Sequence, residues 1–223
     1  MKHNHHTAPP NALQEGLAKH LSPAQRARLA AAKVGIAGCG GLGSNVAAML
    51  VRSGVGALVL ADDDTVEPSN LNRQMFWPAH VGTLKVEALA EQLALLAPGV
   101  QLTPVPQRLT QDNTAVVFTG CTVVVEALDK PEAKAMCYTA LRHSGAFYVG
   151  ASGLGGWGGP PLEARRLGSR AIMVGDFTTP AEGATPPMAP RVTWAAAMQA
   201  DAVLHYLLGD AVPQSPCKGR DAP

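Results

Sequence analysis

Aromatic residues are scarce in this chain: Phe, Trp and Tyr make up only 4% of its 223 residues. Proteins that bind single strands by stacking need several aromatic faces, so that class is disfavoured. Net charge is nearly absent as well, at +1. No broad basic field exists to hold nucleic acid or an anionic membrane. No apolar run reaches the roughly 18 to 20 residues of a membrane span. The opening residues, MKHNHHTAPPNALQEG, hold no apolar signal core, so a cytoplasmic location is expected. The four cysteines, Cys39, Cys121, Cys137 and Cys217, are scattered and form no Cys-x-x-Cys pair. That excludes a zinc knuckle and fits a reduced compartment. His3, His5 and His6 read as part of a disordered terminus over residues 1–11, or a tag remnant, rather than a metal site.

What is present is apolar and regularly punctuated. Hydrophobic residues make 47% of the chain and charged residues 16%, enough for a sizeable core in one domain. Residues 12–32 are helix-forming, with a break at Ser22-Pro23. Strand-like runs at 33–37, 57–61, 100–105, 121–127 and 146–151 alternate with helix-like runs at 43–53, 81–96, 112–118 and 131–142. That alternation predicts a Rossmann-like, mostly parallel α/β sheet with flanking helices. Residues 163–167 and 171–174 then read as an antiparallel pair, a C-terminal extension. A proline-rich loop over 176–190 and a final helix over 191–208 follow.

The chemistry concentrates in residues 34–74. The turn Gly38-Cys39-Gly40-Gly41-Leu42-Gly43 follows a strand and opens a helix. Gly38 and Gly40 allow a tight turn and close backbone approach to a phosphate chain. Gly43 allows close helix–strand packing, and the free N–H groups of the first helical turn face an anion. An acid, Asp62, ends the next strand roughly 20 residues on, where a ribose hydroxyl binds in this topology. Asp63 and Asp64 follow it. If the strand continues, Asp62 and Asp64 share a side, and two carboxylates in one pocket call for a cation or hydroxyl between them. That favours a magnesium nucleotide over NAD. Asn70 and Arg73 can hold phosphate oxygens. Lys85 and the strand-end Asp129 are placed to reach the same crevice.

These residues resemble the ThiF/MoeB/HesA family, relatives of the ubiquitin-activating enzymes. The matching pieces are GCGGLGSN, GVGALVLADDDTVEPSNLNRQ, Lys85, the strand with Asp129, and APRVTWAAAMQADAVLHYLLG, covering roughly residues 25–209. VGIAGCGGLGSN, EPSNLNRQ and MAPRV are most similar to the short ThiF branch associated with thiamine synthesis. The resemblance implies a ThiF-type adenylation domain over 33–210, a tail and helices over 1–32, and a C-terminal tail over 211–223. It implies an adenylyltransferase that binds ATP and magnesium. The partner would be a ubiquitin-like sulfur carrier ending in Gly-Gly, activated as a carboxy-adenylate with release of pyrophosphate. Carried over by position, Gly38, Gly40, Gly41, Asp62, Asp64, Ser69, Asn70, Arg73 and Lys85 bind the nucleotide. Arg73, Lys85 and Asp129 are the catalytic set, and Asp129 is the magnesium ligand. A homodimer is implied, and neither nucleic acid nor membrane is an expected partner.

The chain departs from the family in several places. Two Cys-x-x-Cys pairs are missing, so no structural zinc is expected. The 176–190 loop lacks a cysteine and Cys217 lies in the tail, so chemistry is expected to stop at the adenylate. No Arg-Tyr-x-Arg-Gln finger is present; Arg26 and Arg28 are the candidates to replace it, against a solvated helix face. Lys130 stands where the family has Asn. Two further readings stay open: an NAD-dependent oxidoreductase, and a non-catalytic module that binds a ubiquitin-like partner.

Overall fold

A computed structural model describes residues 12–209. His3, His5, His6 and Cys217 lie outside the described residues. Two helices, α1 (Ala12–Leu17) and α2 (Pro23–Ala31), lead into the sheet. Ser22 caps α2 with a capping box, its hydroxyl accepting from Gln25 N and its own N–H donating to the Gln25 side chain. The chain then alternates as the pattern predicts: β1 (Lys33–Ala37), α3 (Gly41–Arg52), β2 (Ala57–Ala61), α4 (Lys85–Leu96), β3 (Gln101–Val105), α5 (Thr114–Val117), β4 (Val123–Glu126), α6 (Pro131–Leu141) and β5 (Phe147–Ala151). A hairpin, β6 (Glu163–Leu167) and β7 (Ala171–Gly175), and the helix α7 (Ala189–Leu208) complete it.

The strands form one seven-stranded sheet in the order β3-β2-β1-β4-β5-β7-β6. Every neighbouring pair is parallel except β6 with β7. The antiparallel pair therefore extends the main sheet through β7, which lies parallel to β5. Strands β1, β2, β4 and β5 are almost wholly buried, as near-continuous apolar runs must be when helices cover both faces. Residues of α3, α4 and α7 fill one face; Phe118, Cys137, Leu141 and Tyr148 belong to the core of the other. Gln199 locks α7 to the sheet, its buried Nε2 donating to the carbonyl of Glu126 (2.9 Å) and reaching that of Val149 (3.4 Å). The strand order reverses between β1 and β4, and the carboxyl ends of these strands border the ligand crevice of such sheets.

One boundary shifts for a clear reason. A helix over 81–96 is expected from its leucines, yet α4 begins at Lys85. Residues 81–84 are pinned to the segment after β2: Val66 N donates to Thr83 O, Gly82 N to Val66 O, and Thr65 bridges Leu84. Among the described residues, no helix is long and apolar enough to cross a membrane.

Candidate nucleotide-binding site

The turn between β1 and α3 is built from close backbone contacts. Gly38 holds φ +95°, and a Cβ there would meet the Ala127 carbonyl at 2.8 Å. A side chain at Gly43 would run into the Gly38 carbonyl. Gly41 starts α3 with no side-chain cap at Gly40, so the first N–H groups of this 12-residue helix lack a side-chain partner. Two polar residues of the first turns brace the loop. Ser44 Oγ donates to Gly40 O (2.6 Å) and accepts from Met75 N (3.1 Å). Buried Asn45 donates Nδ2 to Gly41 O (2.6 Å) and Arg73 O (3.0 Å). Sequence reasoning assigned neither of them a role. The available signal was two polar residues on the first turns of an otherwise apolar helix.

Two clusters flank this turn. In the first, Asp62 Oδ2 accepts from Cys39 N at 2.6 Å and Oδ1 from Asp64 N at 2.8 Å. Burial pushes the Asp62 carboxyl above its ordinary value, and the two N–H bonds and the Lys85 charge only partly offset that rise. Asp64 stays close to Asp62, but not through a continued strand. The strand ends at Ala61, and Asp64 turns to form an ion pair with the buried Lys85 ammonium at 2.6 Å. The second carboxylate is thus neutralised by a protein cation, and no metal is needed to separate it from Asp62. Oxygens of Asp62, Asp63 and Asp64 lie within 4.8 Å of one another, a spacing that could hold a metal ion, although Asp62 already accepts two N–H bonds and one Asp64 oxygen faces Lys85.

The second cluster sits beside the start of α3. Arg73 lies along the turn, its Cγ and Cδ 3.5 Å from where a Gly41 Cβ would be. Burial lowers its pKa, and the nearby Asp129 charge opposes that shift. Arg73 therefore lies against Gly41 and within the electrostatic reach of Asp129. Glu126 anchors the approach to Asp129: its Oε1 accepts from Leu128 N (2.7 Å) and Lys134 Nζ (2.8 Å). Asp129 itself is exposed. A single free carboxylate beside bound phosphates matches how magnesium is usually held.

The SNLNRQ segment is partly structural. Buried Asn70 accepts from Glu67 N (3.0 Å) and so caps the tight turn Pro68–Asn70, while Ser69 Oγ donates to Glu67 Oε2 (3.2 Å). Gln74 is buried against the turn, with Nε2 3.6 Å from a Gly40 Cβ position and Oε1 lacking a partner. Arg26 and Arg28 sit on α2, where Arg28 Nη1 donates to the Leu208 carbonyl (3.4 Å) at the end of α7. Cys39 is buried in the turn, and burial with the adjacent Asp62 pushes its thiol well up. Burial also raises Cys121 to about 11 and Cys137 to about 12. These three cysteines stay protonated at neutral pH and are poor nucleophiles.

A second constellation lies beside the crevice. Asp176 Oδ1 accepts from Thr178 N and Thr179 N, both at 2.8 Å, and Oδ2 pairs with buried Arg191 at 2.5 Å. Burial works to raise this carboxyl, but the bonds from Thr179, Thr178 and Arg191 outweigh it and hold it well below the usual range. The segment 176–188 forms a strap, tied at its far end where Gly156 bridges Pro187. Val192, one turn into α7, packs against the glycine turn, 3.0 Å from a Gly41 Cβ position.

The model of the ThiF family matches residues 13–220. The chain belongs to the ThiF family. Among curated relatives of this ThiF-family chain, the adenylyltransferase and sulfurtransferase UBA4 of Yarrowia lipolytica is 37% identical over 119 residues, which is 53% of this chain and 30% of that protein. The SAMP-activating enzyme E1 of Haloferax volcanii is 41% identical over 110 residues, 49% of this chain and 41% of that protein. The matches thus span well under half the length of these relatives. Among solved structures, the ATP complex of the Escherichia coli tRNA N6-threonylcarbamoyladenosine dehydratase TcdA superposes with a TM-score of 0.80 at 23% identity. It covers 92% of this chain and 97% of that one. At that identity the likeness establishes the Rossmann-like ThiF fold.

Proposed function

We propose that this ThiF-family protein is an ATP-dependent adenylyltransferase acting on the C-terminal Gly-Gly carboxylate of a ubiquitin-like sulfur carrier. The observation that carries this reading is the pair of clusters around one glycine turn. Asp62 and Lys85 lie on one side, and Arg73 and Asp129 on the other. That arrangement suits a triphosphate with its ribose at Asp62 and its charge at Arg73 and Lys85. The relatives named as adenylyltransferase and as SAMP-activating enzyme support the class of reaction. The thiamine-pathway carrier is the favoured partner, from the resemblance to the short ThiF branch, and the protein is proposed to act as a homodimer.

In the reaction, a carrier carboxylate oxygen forms a bond to the α-phosphorus. The bond from that phosphorus to the bridging oxygen breaks, and pyrophosphate leaves with the electron pair. Anion approaches anion, so cationic groups must offset charge as it builds on the leaving group. Arg73 and Lys85 are the protein cations placed for this. The cysteine-free strap and the protonated buried cysteines favour a reaction that ends at the adenylate. Magnesium, held by Asp129 and the phosphates, would neutralise phosphate charge when bound.

The test is ATP–pyrophosphate exchange with purified Gly-Gly carriers of the thiamine, molybdopterin and cysteine pathways. Exchange with one of them is expected, lost in Arg73→Ala and Asp129→Ala. NAD binding without exchange supports the oxidoreductase instead. Carrier binding without exchange supports a non-catalytic module.

A further inference from the structure

Asn72 is a polar residue of the SNLNRQ segment that the site leaves unassigned, and its side chain bonds in two directions. Its Oδ1 accepts from Arg73 Nη1 at 2.7 Å. Its Nδ2 donates to the Pro187 carbonyl at 3.2 Å and lies 3.8 Å from Met188 Sδ. The same Nη1 also donates to the Ser69 carbonyl at 3.1 Å. Both hydrogens of Nη1 are thereby used, and the plane of a rigid five-donor fork is fixed while Nε and Nη2 stay outside these bonds.

The far partner belongs to the strap. Pro187 bridges Gly156, and Met188 is the N-cap of α7. One turn later Val192 meets the glycine turn beside the Arg73 stem. At its start the strap is held by the saturated Asp176–Arg191 pair. Between these anchors, residues 181–184 are exposed. The middle closes on itself, Thr185 Oγ1 donating to the Pro180 (2.6 Å) and Glu182 (3.1 Å) carbonyls, and the far end touches Asn72.

We propose that Asn72 is a positioning residue that couples the 176–188 strap to the Arg73 guanidinium. The inference rests on the ATP reading of the site. An amide is planar, so its acceptor and donor move together. If the guanidinium rotates to follow a phosphate, Oδ1 follows it and Nδ2 leaves the Pro187 carbonyl. If the strap end shifts, the guanidinium loses its set orientation. Such coupling is reciprocal: what the nucleotide does to the strap, the strap does to the nucleotide.

Amide hydrogen exchange on the full chain tests this, with and without α,β-methylene-ATP and magnesium, and with nucleotide binding measured by calorimetry. In the wild type, nucleotide is expected to change exchange at residues 177–188 by about fivefold or more. Asn72→Asp keeps an acceptor for Arg73 but has no donor for Pro187. Its carboxylate competes with phosphate for Arg73, so nucleotide binds more weakly than in wild type, but at saturating nucleotide its strap is expected to respond less than about twofold. Asn72→Ala is expected to uncouple the strap too, with weaker binding; should it fail to fold, the aspartate variant decides. Nucleotide binding with no strap response in the wild type, or an undiminished response in Asn72→Asp, overturns the coupling. Absence of nucleotide binding by the folded wild type overturns the ATP reading itself, which is a different result.

Discussion

Asp62 and Asp176 use the same device for different ends. Each is a carboxylate at the end of a strand that gathers two backbone N–H groups and so fixes a loop. They differ in what else they hold. Asp176 receives a buried guanidinium at 2.5 Å and is held well below the usual carboxylate range. Asp62 receives no direct cation, because Lys85 goes to Asp64, and burial keeps its carboxyl raised. A saturated carboxylate is a fastener. An under-compensated one retains an appetite for a donor, which a ribose hydroxyl would supply on the proposed ATP reading. Strain of this kind is tolerated at sites that bind.

The comparison breaks most visibly at Asp176. Asp176→Ala leaves Arg191 buried without its partner and should cost about 3 to 5 kcal/mol in urea unfolding, with little change in the nucleotide affinity of the folded fraction. Asp62→Ala should do the reverse. Its loss of a charged acceptor is expected to weaken ATP binding about 30-fold by calorimetry, or about 2 kcal/mol, with a smaller loss of stability.

The pH dependences should then have opposite signs. Because the folded pKa of Asp62 is raised, its contribution to stability is present at acid pH and fades as pH rises through that folded value. ATP affinity should fall on acidification at a pH above the ordinary 3.8, and Asp62→Asn should flatten that part of the profile. Asp176 behaves oppositely: its contribution is present above the unfolded value and is lost only as pH falls through its depressed folded value. Asp176→Asn should therefore narrow the gap to wild type in strong acid. The smallest effect belongs to Asp64→Ala. Asp64 is 66% exposed, and such half-exposed pairs contribute about 0 to 1 kcal/mol, so its unfolding midpoint should barely move. A large loss there would mean that Lys85 depends on Asp64 to stay buried.

The two regions were unequally legible in the sequence. β1 and β2 fall where 33–37 and 57–61 were expected, because continuous apolar runs between glycines admit little else. The glycine turn and Asp62 sit on adjacent strands, so their meeting follows from local order. Asp64 comes near Asp62 by another route, because period-two reasoning holds only while the strand lasts, and it stops at Ala61. The strap read only as a proline-rich loop. Its anchor, Asp176 with Arg191, depends on where the start of α7 comes to rest against the loop, and no spacing rule encodes that. The insertion of β7 beside β5 was hidden for the same reason. Ser44, Asn45 and Asn72 escaped because their partners are mainly backbone carbonyls and amides, which every residue carries.

The contact of Val192 with the turn at Gly41 has a consequence for how the protein is made. The glycine turn is translated early, yet the wall beside it belongs to α7. A nascent chain halted before residue 189 would carry the glycine turn, Asp62, Arg73 and Asp129 and still lack one side of the crevice, the Arg191 partner of Asp176 and the Gln199 bonds to the carbonyls of Glu126 and Val149. On the ribosome, competence to bind nucleotide should therefore arrive late and in one step.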